Sequence, residues 1–130
     1  MGMTVETIAH ANLLHVVVSG DFSLDEAKRT FAEIIEAIRE NNSSKVLFDG
    51  RAIVGKPTFV DRFYYGDFIA ASIRKLREDR PLEDPQFAYL LREPTLHPQR
   101  LGETLAINRG INIRVFEEAG QALSWLGLTS

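Results

Sequence analysis

Apolar and polar positions along this chain of 130 residues switch repeatedly between a short period and a helical one. Thr4 to Ile8 alternates in part, Ala9-His10-Ala11-Asn12 reads as a turn, and Leu13 to Val18 is strongly apolar and β-branched. That pattern predicts a hairpin whose first strand lies toward an edge and whose second is more buried. Ser23-Leu24-Asp25-Glu26 then has the form of a capping box, in which the Ser hydroxyl and the Glu carboxylate each satisfy an orphan backbone N–H. Leu24, Ala27, Phe31, Ile34, Ile35 and Ile38 recur at helical spacing and form one apolar stripe. Asn41-Asn42-Ser43-Ser44 ends this helix with residues that favour local turn bonds.

The stretch from Lys45 to Leu76 organises the rest. Val46-Leu47-Phe48 is an apolar run closing on Asp49-Gly50, which suits a strand buried on both faces in the middle of a parallel sheet. A turn-rich loop is expected from Arg51 to Pro57. A second capping signature, Thr58-Phe59-Val60-Asp61, then opens a helix predicted to run to about Glu78. Phe59, Phe63, Tyr64, Tyr65 and Phe68 crowd into its first half, and Val60, Ile69, Ala70, Ile73 and Leu76 add aliphatic bulk, more than one narrow stripe can hold.

Beyond a polar loop from Arg80 to Pro85, Phe87 to Leu91 reads as the next buried strand, and Arg92 to His97 leads out of it. Pro98 suits the first turn of a further helix and Gly110 its end. Ile111, Ile113 and Val115 alternate with Asn112 and Arg114, the pattern of a strand wet on one face. Glu117-Glu118 favour the positive end of a last helix, packed by Ala122, Leu123, Trp125 and Leu126 and ended by Gly127. The order β-β-α-β-α-β-α-β-α implies an α/β fold over a single domain, residues 1–130. Its sheet is mostly parallel, of about five strands, with an N-terminal hairpin, four helices and right-handed crossovers.

Composition narrows the functional classes. A net charge of −3 argues against nucleic acid or an anionic membrane as the main partner, because both require a basic face. The absence of cysteine excludes disulfides, thiolate metal sites and cysteine nucleophiles, and fits a cytoplasmic setting. No apolar run reaches the roughly 20 residues needed to span a bilayer, so no membrane insertion is expected.

Candidate chemistry is sparse. Gly50-Arg51-Ala52-Ile53-Val54-Gly55-Lys56-Pro57-Thr58 comes within one residue of a phosphate-binding P-loop, but Pro57 stands where a Mg²⁺-ligating Ser or Thr must follow the lysine, and it removes an N–H. A weaker reading keeps a small anion, nucleotide or lipid-like ligand at the carboxyl ends of the strands, held by Arg51, Lys56, Thr58, Arg92 and His97 near helix N-termini. His10, His15 and His97 lack the spacing of a metal site, and no G-x-S-x-G elbow occurs. No catalytic residue, metal or cofactor is therefore expected. The aromatic helix is the main lead. Either its rings are core, or part of that face, with Tyr64, Tyr65 and Phe68 as anchors, is exposed and buries against a second copy or another protein.

The strand-loop-helix centred on Val46-Leu47-Phe48-Asp49, together with the ending Ile113-Arg114-Val115-Phe116-Glu117 and Gln121-Ala122-Leu123-Ser124-Trp125-Leu126, resembles the SpoIIAA-like (STAS-type) domain family, in particular its small bacterial members of unassigned role. The resemblance implies a β-α superhelical sheet, no catalysis, and a role as a protein-docking or regulatory module, as in antagonists of anti-sigma factors. In those antagonists a regulatory serine lies in an Asp-Ser-Ser-Gly motif at the start of the helix after the central strand. Gly55-Lys56-Pro57-Thr58-Phe59 stands there instead. The expectation is a cytoplasmic, non-enzymatic interaction module, a homodimer through the helix 58–78, with a regulatory protein as a further partner.

Overall fold

The computed structural model describes residues 2–11, 13–79, 85–92 and 111–128. Five strands, β1 (Met3–His10), β2 (Leu13–Asp21), β3 (Lys45–Val54), β4 (Gln86–Leu90) and β5 (Ile113–Phe116), make one sheet in sequential order. β1 and β2 pair antiparallel from Met3 against Gly20 to His10 against Leu13, and the other three pairings are parallel. The expected hairpin and mostly parallel sheet are both present.

Three helices are found among the described residues: α1 (Leu24–Asn41), α2 (Phe59–Asp79) and α3 (Ala119–Trp125). The further helix expected between Pro98 and Gly110 lies outside the described residues, as does His97.

Alternation along the strands divides the core in two. Val16 and Val18 on β2, Val46 and Phe48 on β3, Phe87 and Tyr89 on β4, and Ile113 and Val115 on β5 share one face and one cluster with α1 and α2. Phe31 of α1 is completely buried at the centre of this cluster. Its ring stands edge-on to Tyr65 and Phe68 at 6.3 and 6.4 Å and lies 5.8 Å from Phe87. On the other face Leu47, Ala88 and Leu90 meet Ala122 and Leu126 of α3.

The sequence explains α1 closely. Ala27, Phe31, Ile34, Ile35 and Ile38 form its buried stripe, and the Glu26 N–H donates to the Ser23 hydroxyl at 3.3 Å. The other half of the expected box does not close. Instead the Glu26 carboxylate accepts the Met3 N–H at 3.0 Å and pairs with Arg29, whose guanidinium also donates to the Met3 carbonyl. These contacts hold Glu26 below its usual carboxylate range, the Arg29 bond first and the Met3 N–H second. A local cap has become a clamp between α1 and the edge strand.

Candidate functional site

β3 does not stop at Asp49-Gly50. It continues through Val54, so most of the loop expected from Arg51 to Pro57 is strand. The cause is its neighbour. β2 runs on to Asp21 and offers backbone partners as far as Ser19 against Ala52, Gly20 against Ile53 and Asp21 against Val54. β-branched Ile53 and Val54 favour accepting them.

The register shifts on the way, from Val17 opposite Asp49 to Ser19 opposite Ala52, so Gly50 and Arg51 together face Val18. That is a bulge, and it re-aims side chains. Gly50 fits closely there, because a Cβ would sit 2.8 Å from Leu91 Cδ2 and Phe48 Cε1 and 2.9 Å from Ile53 Cδ1, and those side chains would have to shift. The bulge also lets Arg51 fold back on Asp49. Its Nε donates to Oδ1 at 2.9 Å, its Nη2 to Oδ2 at 2.8 Å, and its backbone N–H to Oδ1 at 3.2 Å. The guanidinium bonds, with the Arg51 N–H beside them, hold the Asp49 carboxyl below its ordinary range.

The strand ends at Gly55, whose φ of +119° is a conformation that side chains rarely adopt. Thr58 and Asp61 then close a reciprocal capping box. The Asp61 N–H donates to the Thr58 hydroxyl at 3.0 Å and the Thr58 N–H to the Asp61 carboxylate at 2.9 Å. No phosphate cradle forms, because Gly50 to Val54 of the P-loop-like stretch are strand and Gly55 turns the chain.

α2 uses its rings in two directions. Inward, Gly66, Ile69, Ala70, Ile73 and Leu76 are buried, and Tyr65 and Phe68 pack against the same cluster. The Tyr65 and Tyr89 hydroxyls are bonded at 2.9 Å, and Tyr89 stacks on Phe48 at 4.1 Å. Burial pushes both phenols well above the ordinary tyrosine range. Phe68 lies over Phe31 with the Lys28 ammonium 5.8 Å from its centroid. Outward, large apolar side chains remain wet: Phe59 is 62% exposed, Val60 55%, Tyr64 50% and Phe63 37%, and Val54 at the end of β3 is 61% exposed. Phe63 and Tyr64 meet edge-to-face at 5.5 Å.

The expected residues are thus distributed as follows. Of the three anchors, Tyr64 faces solvent, while Tyr65 and Phe68 pack on the core side of α2. Val54, Phe59, Val60 and Phe63 are exposed as well, and Phe63 is in ring contact with Tyr64. Helical phase was the signal that could have sorted them, since Tyr65 stands four residues before buried Ile69 and Tyr64 four after exposed Val60. Of the ligand set, Arg51 is engaged by Asp49 and the Thr58 hydroxyl accepts in its own cap, whereas Lys56 and Arg92 are exposed. Two surface concavities hold none of these residues. One is lined by Arg114, Phe116, Gln121 and Trp125, the other by His10, Asn41, Ser43 and Lys45. Among the described residues no group of three or more His, Asp or Glu comes together as metal ligands, and no helix is long and apolar enough to cross a membrane.

Neither a protein-family model nor a curated protein sequence matches the chain. Solved structures do. An anti-sigma factor antagonist from Mycobacterium paratuberculosis superposes with a TM-score of 0.63 at 17% identity, over 97% of this chain and 95% of that one. An uncharacterized protein of the DUF3478 family from Shewanella loihica PV-4, with a SpoIIAA-like fold, superposes with a TM-score of 0.51 at 15% identity, over 96% and 93%. The fold of this chain is therefore SpoIIAA-like, as its sequence resemblance implied.

Proposed function

We propose that this protein is a non-enzymatic, cytoplasmic regulatory module that acts by docking and self-associates through the outer face of α2. The observation that carries the reading is the wet apolar set Val54, Phe59, Val60, Phe63 and Tyr64. Single exposed apolar residues are ordinary, but Phe59, Val60, Phe63 and Tyr64 fall close together at the start of one helix, with Phe63 and Tyr64 in contact, and such clustering suits an interaction surface. Aromatic rings suit that role because they bury much area with few rotatable bonds. Fold analogy with an anti-sigma factor antagonist favours a regulatory setting, with a regulatory protein as a further partner. The residues nearest to candidate chemistry are engaged structurally, Arg51 by Asp49 and Thr58 by Asp61, which weighs against a ligand site at the strand ends. Tyr64 is a contact residue, and Tyr65 and Phe68 hold the helix beneath it.

Sedimentation of the wild type beside a Phe59→Ser/Tyr64→Ser variant tests the reading. We expect a reversible dimer for the first and a monomer with unchanged circular dichroism for the second. A wild type that stays monomeric as its concentration is raised would overturn self-association.

A further inference from the structure

We propose that β1 is a docking edge for a protein partner, which adds an extended, basic segment antiparallel to it at Val5, Thr7 and Ala9. This surface is separate from the outer face of α2 and does not depend on self-association there.

β1 is the outer strand of the sheet, paired along its whole length with β2. The clamp to α1 identifies which of its backbone groups are spare. Met3 turns its N–H to Glu26 and its carbonyl to Arg29, away from β2. Residues of an antiparallel strand present these groups alternately to one side and the other. The register runs from Met3 to His10 without a shift. Thr4, Glu6 and Ile8 therefore bond to β2, while Val5, Thr7 and Ala9 aim both groups outward. Among the described residues no group is bonded to them there. Sheets often protect such an edge with a proline, a lysine or a bulge, and β1 has none of these. Strand addition satisfies the spare donors and acceptors.

Charge around the edge selects the guest. Glu6 is exposed on β1. On the α1 side, Arg29 is shared by Glu26, Glu33 and the Met3 carbonyl, so two carboxylates stand against one guanidinium. An opposite charge directly across from Glu6 stabilises a strand pair, and a like charge destabilises it. In antiparallel addition the guest residue facing Thr7 exchanges hydrogen bonds with it. The guest's neighbouring residues then face Ile8 and Glu6, at positions where side chains approach most closely. Ile8 is 41% exposed and favours an apolar residue, whereas Glu6 favours a lysine or arginine. The matching segment reads apolar, any residue, basic, in that order. A second copy would bring its own acidic edge to this one and fits less well.

Proline substitution reads the alternation. Thr7→Pro removes an N–H that bonds to nothing in the fold and should leave thermal unfolding near wild type. Ile8→Pro removes a ladder bond to β2 and should lower it clearly. Binding is read by NMR titration of the isotopically labelled full chain with the capped peptide Thr-Val-Val-Thr-Lys-Val-Thr and with its Lys→Glu counterpart. We expect shifts at the Val5, Thr7 and Ala9 amides, an affinity about tenfold lower for the acidic peptide, inversion of that preference in Glu6→Lys, and loss of binding in Thr7→Pro. The edge assignment is overturned if Thr7→Pro is as destabilised as Ile8→Pro, if the basic peptide moves none of these amides, or if Glu6→Lys keeps the wild-type preference. Protection of the same amides on raising the protein concentration alone would make a second copy the occupant, and overturns it as well. None of these variants alters α2, so self-association through that helix is judged separately.

Discussion

α1 and α2 both begin at a hydroxyl cap, Ser23 and Thr58, with an acid three residues on, and they run for 18 and 21 residues against the same cluster. They differ in what they leave outside. On α1 the large apolar side chains at Phe31, Ile34, Ile35 and Ile38 are all buried, and the outer positions Glu33, Glu36 and Glu40 carry charge. On α2 the buried stripe is largely aliphatic, and two turns of rings and a valine face water. Hydrophobic burial at about 25 cal/mol per Å² drives such surface inward wherever it can go. The sheet absorbs everything α1 offers and only part of what α2 offers. The lesson is that two helices capped alike on one sheet can differ in how much apolar surface the core takes from them.

The sharpest way to break the contrast is to compare two phenylalanines. Phe31→Ala should cost about 3–5 kcal/mol of unfolding free energy, because a completely buried ring leaves a cavity. Phe59→Ser on the outer face of α2 should fall within about 0.5 kcal/mol of wild type. Denaturant titration of both, at a concentration where the protein is monomeric, gives the difference. A large loss at Phe59 would mean that its exposed ring belongs to the fold.

Gly50→Ala comes next. The added methyl would meet Leu91, Phe48 and Ile53 at under 3 Å, and overpacking of this kind costs about 1–3 kcal/mol. It tests whether the bulge that leads into α2 is as tightly packed as the core beneath α1.

Tyr65→Phe leaves the buried Tyr89 hydroxyl without its partner and should cost about 1–3 kcal/mol. It also sharpens the two-sided reading of α2, because dimerisation should be unchanged. The pH dependence has a definite sign. Burial raises both phenols, so the folded state holds protons that the unfolded chain releases. The corresponding stability is complete below about pH 10, the unfolded tyrosine value, and declines as pH rises beyond it. Phenolate absorbance should therefore lag in the folded protein and jump on alkaline unfolding.

A smaller loss is expected at Asp49→Asn, about 1 kcal/mol, because its ion pair with Arg51 is partly solvated. The folded carboxyl is depressed, so the contribution is present above about pH 4, the unfolded carboxyl value, and is lost as pH falls through the folded one. Acid titration of the variant should show a shallower loss of stability than the wild type.

Local signals in the sequence were sufficient for much of this. The Ser23 and Thr58 caps, the α1 stripe, the hairpin and the alternation at Ile113 and Val115 each depend on neighbours a few residues away, and each is found. Two features depended on distant partners. β3 extends past Gly50 because β2 provides a matching edge as far as Asp21, and nothing in Arg51 to Val54 announces that edge. Glu26 leaves its own helix cap for the Met3 N–H, a choice made by the position of β1 and not by the box motif. The rings of α2 lie between these cases. Phe63-Tyr64-Tyr65 sweeps through 200° of helix surface, so some of the three must face inward and some outward. Composition showed the excess but not its phase. The aliphatic stripe at Ile69, Ile73 and Leu76 marks the inner direction, and extending it backward leads to Tyr65 and away from Tyr64.

Tyr64 and Tyr65 are adjacent in the chain, yet one points to water and the other is bonded to Tyr89 on β4. The phenol pair acts as a keyway: α2 cannot roll about its own axis without pulling a desolvated hydroxyl from its mate. In the docking reading proposed above, Tyr64 stands beside this latch on a helix that the buried stripe Ile69, Ile73 and Leu76 also fixes against the sheet.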